Sequence, residues 1–343
     1  MSHRKAKLQM KQIIAFVAGH SGGHIIPCIT QAKKELAEKA ETDVLFFSTN
    51  SELDKKIFSN YNFIKYKMFL PNLSLSKKLN FIWNFKSVFI QSLITLIKYR
   101  PIKIVSMGGL VSVPVCLAAK LLNIPIVLWE LNVEPGKAVK FISKLTPNIN
   151  ICFEETRKYF KNKTCNLVAY PVRFDESLKK TNQKDILEKI GFNISKKTLF
   201  IIGGSQGSTF INNLVKDFII QNPTIKEKIQ VIHQTGADKF DWKNFYQSAQ
   251  INAITFDFYN KVEEYYMAAD IIICRSGAGT LAEVLFFEKR CITVPLKTNT
   301  TSHQILNADA LMRQYPHLFY VIIQNDIVQN KNLFFDYILT LIS

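Results

Sequence analysis

A chain of 343 residues is longer than one ordinary hydrophobic core supports and suits two domains. Hydrophobic residues at 48% and charged residues at 21% exclude a disordered chain, and six cysteines (Cys28, Cys116, Cys152, Cys165, Cys274, Cys291) without a Cys-x-x-Cys pair argue for reduced cytosolic thiols and exclude a zinc ribbon or a disulfide framework. The net charge of +17 is one-sided: residues 1–173 hold 26 Lys/Arg against 10 Asp/Glu, and residues 174–343 hold 18 against 17.

Compositional bias would act on both halves, so the basic half implies an anionic partner: nucleic acid, an acidic membrane surface or a phosphorylated substrate. No nucleic-acid-binding module is recognisable, which argues against the first.

Arg4, Lys5, Lys7 and Lys11 precede the apolar run Ile13 to Ala18 and imitate a signal peptide. The run is short and ends without a small-residue cleavage site, so it reads as a first buried strand. Gly19-His20-Ser21-Gly22-Gly23-His24 follows, ahead of a helix expected near Ile26-Pro27. Glycines let backbone approach a ligand, and helix N-terminal N–H groups attract phosphate. A histidine in such a turn points to a ligand-facing proton acceptor, here His24. The turn is neither a Gly-x-Gly-x-x-Gly fingerprint nor a P-loop.

Further apolar runs at 44–47, 102–107 and 126–128 predict buried parallel strands. Between the first two of these, Leu70 to Arg100 carries a broad apolar face (Phe81, Ile82, Phe85, Val88, Phe89, Ile90, Leu93, Ile94, Leu96, Ile97) with Trp83 beside it and Lys77, Lys78, Lys86, Lys98 and Arg100 around it. It reads either as a core helix with basic edges or as a segment entering a membrane headgroup region. From Lys55 to Trp129 there are 11 basic residues and no acid, which favours the second. No run reaches the roughly 20 apolar residues that span a bilayer. Ser106-Met107-Gly108-Gly109-Leu110-Val111-Ser112 is a second glycine turn, serving either tight packing or a second anion cradle.

The stretch from Tyr170 to about Lys197, polar and carrying Pro171, reads as a linker. Strands expected at 199–202, 229–232 and 271–274 follow. Ile201-Ile202-Gly203-Gly204-Ser205-Gln206-Gly207-Ser208 is again strand, glycine turn and helix start, able to hold a diphosphate without a metal. Arg275-Ser276-Gly277-Ala278-Gly279-Thr280-Leu281-Ala282-Glu283 is another such turn. Glu283, expected on the first helical turn, either stabilises that N-terminus or accepts both hydroxyls of a ribose. No Asp-x-Asp motif is present, which disfavours a metal-dependent diphosphate site. The strand–turn–helix rhythm predicts an α/β class with doubly wound parallel sheets.

Taken in order, these motifs resemble the MurG family of bacterial glycosyltransferases. The likeness runs from about Ile13 to Ala310. It includes Ser21-Gly22-Gly23-His24-Ile25-Ile26-Pro27, Met107-Gly108-Gly109, Glu130-x-Asn132-x-x-Pro135-Gly136 and Pro171-Val172-Arg173. Gly203-Gly204-Ser205-Gln206-Gly207, His233-Gln234-x-Gly236, the Arg275 to Glu283 turn and His303-Gln304-x-x-Asn307-Ala308 complete it.

The resemblance implies a GT-B architecture, two Rossmann-like domains facing a cleft. Residues 1–173 would form an acceptor and membrane-association domain, and residues 174–343 a UDP-sugar donor domain. It implies inverting transfer of GlcNAc from UDP-GlcNAc to the MurNAc 4-hydroxyl of undecaprenyl-pyrophosphoryl-MurNAc-pentapeptide (lipid I), by a peripheral protein on the cytoplasmic face of the plasma membrane, with no cofactor. His24 would be the base. Glu283 would take the ribose, Ser205 with Gln206 and Gly207 the diphosphate, and Gln304 the sugar hydroxyls. Tyr259, Arg275, Ala278, Gly279, Thr280, Leu281 and Ala282 would complete the donor contacts, with Ser21, Gly22, Gly23, Asn132 and Arg173 contributing from the other domain. Gly108, Gly109 and Glu130 would meet the acceptor. Implied partners are UDP-GlcNAc, the lipid acceptor, an anionic membrane surface and other cell-wall synthesis proteins, not nucleic acid.

The chain differs from the family's usual residues at His20, Leu110, Trp129, Leu131, Tyr259, Thr301 and Ser302, and the family's last helix is expected to be shortened. Three other readings stay open on the sequence: a lipid glycosyltransferase with another acceptor, a UDP-sugar epimerase on the same architecture, and a non-catalytic UDP-sugar binder.

Overall fold

The structure is a computed structural model that describes residues 11–19, 22–39, 41–59, 61–71, 73, 78–204, 207–257, 261–296 and 303–343. The chain forms two compact units, one ending at Arg173 and the other beginning at Phe174.

The first unit runs β1 (Gln12–Val17), α1 (Gly22–Glu38), β2 (Thr42–Thr49), α2 (Glu52–Ser59), β3 (Tyr66–Leu70), α3 (Lys78–Tyr99), β4 (Lys103–Ser106), α4 (Ser112–Leu121), β5 (Ile126–Glu130), α5 (Lys137–Ile142), β6 (Ile149–Ile151) and β7 (Cys165–Leu167). Its strands form one parallel sheet in the order β3-β2-β1-β4-β5-β6-β7. The order reverses between β1 and β4. Crossovers with one handedness must then put their helices on opposite faces. The packing follows: Ile14 and Phe16 of β1 join Ile25, Cys28, Ile29 and Ala32 of α1, while Ala15 and Val17 join Val115, Cys116, Ala118 and Ala119 of α4. Burial on both faces is why β1 reads as a continuous apolar run and not an alternating one.

The second unit runs α6 (Gln183–Lys189), β8 (Lys197–Ile202), α7 (Thr209–Gln221), β9 (Ile229–Gln234), α8 (Trp242–Ser248), β10 (Ala253–Phe256), α9 (Glu263–Ala268), β11 (Ile271–Cys274), α10 (Ala278–Phe286), β12 (Arg290–Thr293), α11 (His303–Gln314), β13 (Phe319–Val321), α12 (Gln324–Gln329) and α13 (Asn332–Ile342). Its parallel sheet has the order β10-β9-β8-β11-β12-β13, with the reversal between β8 and β11. Leu199 and Ile201 of β8 pack with Ile211, Leu214, Val215 and Phe218 of α7. Phe200, pointing the other way, packs on Tyr265 and Tyr266 of α9. Side-chain caps start several helices: Ser208 accepts from Ile211 N–H on α7, and Asp241 from Asn244 N–H on α8.

All seven expected strands are present, as β1, β2, β4, β5, β8, β9 and β11. Two further expectations are corrected. Residues 174–197 belong to the second unit and do not form a linker: Phe174 packs on Tyr266, Phe286 and Phe287, and Gln183 donates to the carbonyls of Ala268 and Ala269. A few apolar side chains (Phe174, Ile186, Leu187, Phe192) dock a stretch whose average is polar. Helix α1 starts at Gly22, four residues ahead of Ile26, and encloses Pro27.

Helix α3 has two apolar faces. Val88 and Leu96 are buried, with Phe81, Phe85, Phe89 and Leu93 packed on the same core. On the other face Ile82, Trp83, Ile90, Ile94 and Ile97 are exposed, Trp83 by 70% and Ile94 by 61%. Trp83, Ile90, Ile94 and Ile97 follow helical spacing, so they form one stripe. Lys86 lies along it with its ammonium 5.4 Å from the Trp83 ring. No helix among the described residues is long and apolar enough to cross a membrane.

Candidate functional site

The glycine turns of each unit leave the two strands that flank its reversal of strand order. In the first unit these are β1 and β4, which pair directly. Strand ends at such a reversal are where open parallel sheets bind ligands. Gly19 is wedged there, since a Cβ on it would lie 2.8 Å from Thr49 Cγ2 and 2.9 Å from Val111 Cγ1. Thr49 is itself braced: its N–H donates to Asp54 Oδ2 at 2.9 Å, its hydroxyl donates to the same oxygen, and so does the Ser48 hydroxyl at 2.7 Å.

Gly108 and Gly109 have φ of +82° and +87°, and a Cβ would meet Val139 Cγ2 at 2.8 Å from Gly108 and the Gly19 carbonyl oxygen at 3.2 Å from Gly109. The second turn is thus locked backbone-to-backbone on the first. Gly22 and Gly23 open α1, and half-buried His24 sits in that first turn. Pro27 has no N–H for the Gly23 carbonyl; the Tyr170 hydroxyl donates to that oxygen instead, at 3.5 Å.

Glu130 ends β5 and is 3% exposed. Its Oε1 accepts the Asn132 N–H at 2.8 Å and the Asn132 side-chain amide at 3.2 Å, and its Oε2 accepts the Gly136 N–H at 3.3 Å. Burial pushes this carboxyl up to about 7, against the pull of N–H donors from Asn132, Gly136 and Leu131. Trp129 and Leu131 on either side are themselves buried in the core. The carboxylate therefore organises the 131–136 loop and presents Asn132. Arg173, half-buried at the end of the unit, acts electrostatically on the Tyr61 hydroxyl.

In the second unit the turns leave β8 and β11, again direct neighbours. A Cβ on Gly203 would strike Ser208 N at 2.3 Å, and one on Gly207 (φ +75°) would strike Gly236 Cα at 2.7 Å. Gly204 has φ +89°, and a Cβ there would meet nothing within 4 Å. Gly203 and Gly207 are thus pinned by their neighbours while Gly204 is open, and α7 starts just beyond them at Thr209, an arrangement suited to an anion.

Arg275 is largely buried; its Nε donates to Ser208 Oγ and its Nη1 to the Val294 carbonyl, both at 3.1 Å. Burial lowers it to about 10, so it remains a cation beside the turn. Glu283 lies on the second turn of α10, not the first, because the helix starts at Ala278 directly after Gly277. That weakens its reading as a charge on the helix N-terminus. The Tyr266 hydroxyl donates to its Oε2 at 2.9 Å and orients the carboxylate.

Gln304 Oε1 accepts the Leu296 N–H at 3.0 Å, so its amide nitrogen is the donor it can offer to a hydroxyl. Ala278, Gly279, Thr280 and Ala282 form the start of α10. Leu281 is fully buried, with its N–H donating to the Gly277 carbonyl. Ser21, Ser205, Gln206 and Tyr259, with His20, Thr301 and Ser302, lie outside the described residues.

Sequence reasoning missed the bracing groups. Ser208 was legible as a serine ahead of a helix, whereas Tyr266, Asp54 and Thr49 carry no local signal, being brought in by the fold. Among the described residues, no three His, Cys, Asp or Glu side chains are grouped to hold a metal ion.

Family models cover both units: the glycosyltransferase family 28 N-terminal domain matches residues 14–151, and the glycosyltransferase family 28 C-terminal domain matches residues 198–327. A protein of Protochlamydia amoebophila (strain UWE25) is 33% identical over 306 residues, 88% of this chain and 80% of its own. One of Thermodesulfovibrio yellowstonii is 30% identical over 308 residues, 88% of this chain and 83% of its own. Both are named UDP-N-acetylglucosamine--N-acetylmuramyl-(pentapeptide) pyrophosphoryl-undecaprenol N-acetylglucosamine transferase. Among solved structures, Acinetobacter baumannii MurG superposes with a TM-score of 0.73 at 21% identity, covering 97% of this chain and 91% of that one. The UDP-GlcNAc 2-epimerase of Neisseria meningitidis superposes with a TM-score of 0.60 at 12% identity, covering 89% and 92%.

Two predictions follow from this geometry. Gly109→Ala forces a side chain into a left-handed backbone against the Gly19 carbonyl. It should cost about 1–3 kcal/mol, read as a drop in Tm of roughly 2–4 °C per kcal/mol. For Glu130, the folded-state value of about 7 lies above the ordinary 4.5. The folded protein therefore binds the proton more tightly, and stability falls as pH rises through that window, by on the order of 3 kcal/mol. Urea unfolding at several pH values should show Glu130→Gln flattening this slope; an unchanged slope would contradict the assignment.

Proposed function

The chain belongs to the MurG family of glycosyltransferases, and on that premise we propose that it transfers N-acetylglucosamine from UDP-GlcNAc to the MurNAc 4-hydroxyl of undecaprenyl-pyrophosphoryl-MurNAc-pentapeptide, converting lipid I to lipid II in peptidoglycan synthesis. One observation carries this reading: the family match runs through both units and takes in all four glycine turns at the two strand-order reversals. The two units have the doubly wound parallel sheets of the GT-B fold.

In this reading the second unit holds the donor. The diphosphate lies on the Gly203–Gly207 turn, where the N–H groups at the start of α7 and the Arg275 cation oppose the charge that grows as UDP leaves. Glu283, oriented by Tyr266, accepts the ribose hydroxyls, and the Gln304 amide donates to the sugar. The first unit supplies His24, which takes the proton of the attacking 4-hydroxyl as the anomeric carbon passes through an oxocarbenium-like state. Glu130 acts through Asn132 and the 131–136 loop. Gly108 and Gly109 shape the acceptor side.

The exposed stripe of α3 supports attachment to an anionic membrane surface. Isoleucines and Trp83 would enter the headgroup boundary while the surrounding lysines meet lipid phosphates. In this reading the protein works as a peripheral component of the cytoplasmic face of the membrane, where a lipid-linked acceptor is presented.

The direct test is lipid II formation from UDP-GlcNAc and a short-chain lipid I analogue. His24→Ala should reduce turnover by roughly 10²–10⁴-fold while UDP binding, measured by calorimetry, stays near parental; near-normal turnover would remove His24 as the base. Replacing Trp83 and Ile94 by Glu should abolish co-flotation with vesicles containing anionic lipid and leave UDP binding intact. Undiminished flotation would show that α3 is not the attachment face.

A further inference from the structure

His233-Gln234-x-Gly236 carries part of the family likeness but takes no part in the transfer step. His233 lies on β9 with none of its surface exposed. Its Nδ1 is 2.9 Å from the Tyr246 hydroxyl on α8, and its Nε2 is 3.0 Å from Asn212 Oδ1 on α7. The orientation of Asn212 is fixed independently, because its amide nitrogen donates to the Thr235 carbonyl at 2.9 Å and to Asp238 Oδ2 at 3.0 Å. Its oxygen therefore faces the imidazole and accepts. The ring proton sits on Nε2, and Nδ1 accepts from Tyr246. Burial pushes the imidazole down to about 3, against the opposing pull of Asp238. It therefore stays neutral through the physiological range.

The network ends on the anion-binding turn. Asn212 is in the first turn of α7. Thr235 and Gly236 press on Gly207, whose added Cβ would lie 2.9 Å from the Thr235 carbonyl oxygen and 2.7 Å from Gly236 Cα. One amide thus ties the start of α7 to the loop on which the turn rests. Without a donor at position 233 the Asn212 oxygen loses its partner in a buried site, which loosens the hold of the first turn of α7 on the 235–238 loop.

We propose that His233 is a positioning residue of the donor site: by pairing the buried Asn212 oxygen it holds the first turn of α7 and the 235–238 loop around Gly207, and so sets the affinity for a nucleoside diphosphate. This rests on the reading that the Gly203–Gly207 turn holds the donor's diphosphate.

Calorimetry with UDP on the full-length protein tests it, comparing the parental chain with His233→Phe and His233→Gln. Phenylalanine fills the ring's space without a donor, and glutamine restores an amide donor. The Phe variant should bind UDP about tenfold more weakly or worse. The Gln variant should stay within about threefold of parental, and the loss should appear in the KM for UDP-GlcNAc far more than in kcat. Parental affinity in a folded Phe variant would overturn the proposal and leave the donor-site reading standing. No UDP affinity in the parental protein would overturn both. Imidazole ¹⁵N NMR of the parental protein gives a readout independent of any variant: the ring should remain neutral and protonated on Nε2 from about pH 5 to 8. A proton on Nδ1, or a second proton gained in that range, would rule the proposal out.

Discussion

The four glycine turns of this molecule depend on the reversal of strand order at one place in each sheet. A parallel sheet that starts in its middle and grows outwards both ways must send its first helices to opposite faces. Between them the carboxyl ends of two adjacent strands are left without a crossover above. At β1 and β4, and again at β8 and β11, the chain fills that gap with glycine-rich turns. The turns need glycine for different reasons. Gly204 needs it only for its φ, while Gly203, Gly207 and Gly19 need it because neighbouring backbone or side chains leave no space for a Cβ. Only the first kind leaves open room above the backbone, which is what a bound diphosphate requires.

Much of this was legible in the sequence. The inner strands are buried on both faces, so their apolar runs are continuous, as in Leu199 to Ile202 and Ile271 to Cys274. The strands that escaped notice are mostly the outer ones: β3, β10 and β13 have few fully buried residues, and β6 and β7 have three residues each. Their pairing comes from the sheet edge and not from a pattern of their own. The same division holds at the site. The glycines announced themselves, but the groups that hold them in place, Thr49 under Gly19, Val139 against Gly108 and Gly236 against Gly207, come from distant parts of the chain. Glu283 was expected one turn too early because the N-terminal boundary of α10 falls directly after Gly277. The bonds by which the Glu130 carboxylate accepts N–H groups of its own loop had no local signal either.

The charge asymmetry and helix α3 describe one property at two scales. Lysines in the acid-free stretch that do find partners reach outside it: Lys65 pairs with Asp43 and Lys103 with Glu35. The stretch itself offers a cation no carboxylate, so its positive field is not cancelled locally. Added to that field is a stripe of isoleucines that the first unit's core does not cover. A helix apolar on both faces has one face left to satisfy.

Pro27 has an effect that reaches beyond its own helix. By lacking an N–H it releases the Gly23 carbonyl, and a hydroxyl from Tyr170, 147 residues along the chain, takes its place. The two residues are therefore epistatic. A residue with an N–H at position 27 would close the helical bond and make the Tyr170 hydroxyl redundant, whereas losing that hydroxyl while Pro27 remains leaves the exposed carbonyl to solvent in the turn that carries His24. Their effects should not add. The order in which the two positions change then determines which intermediate sequences keep the first turn of α1 in place.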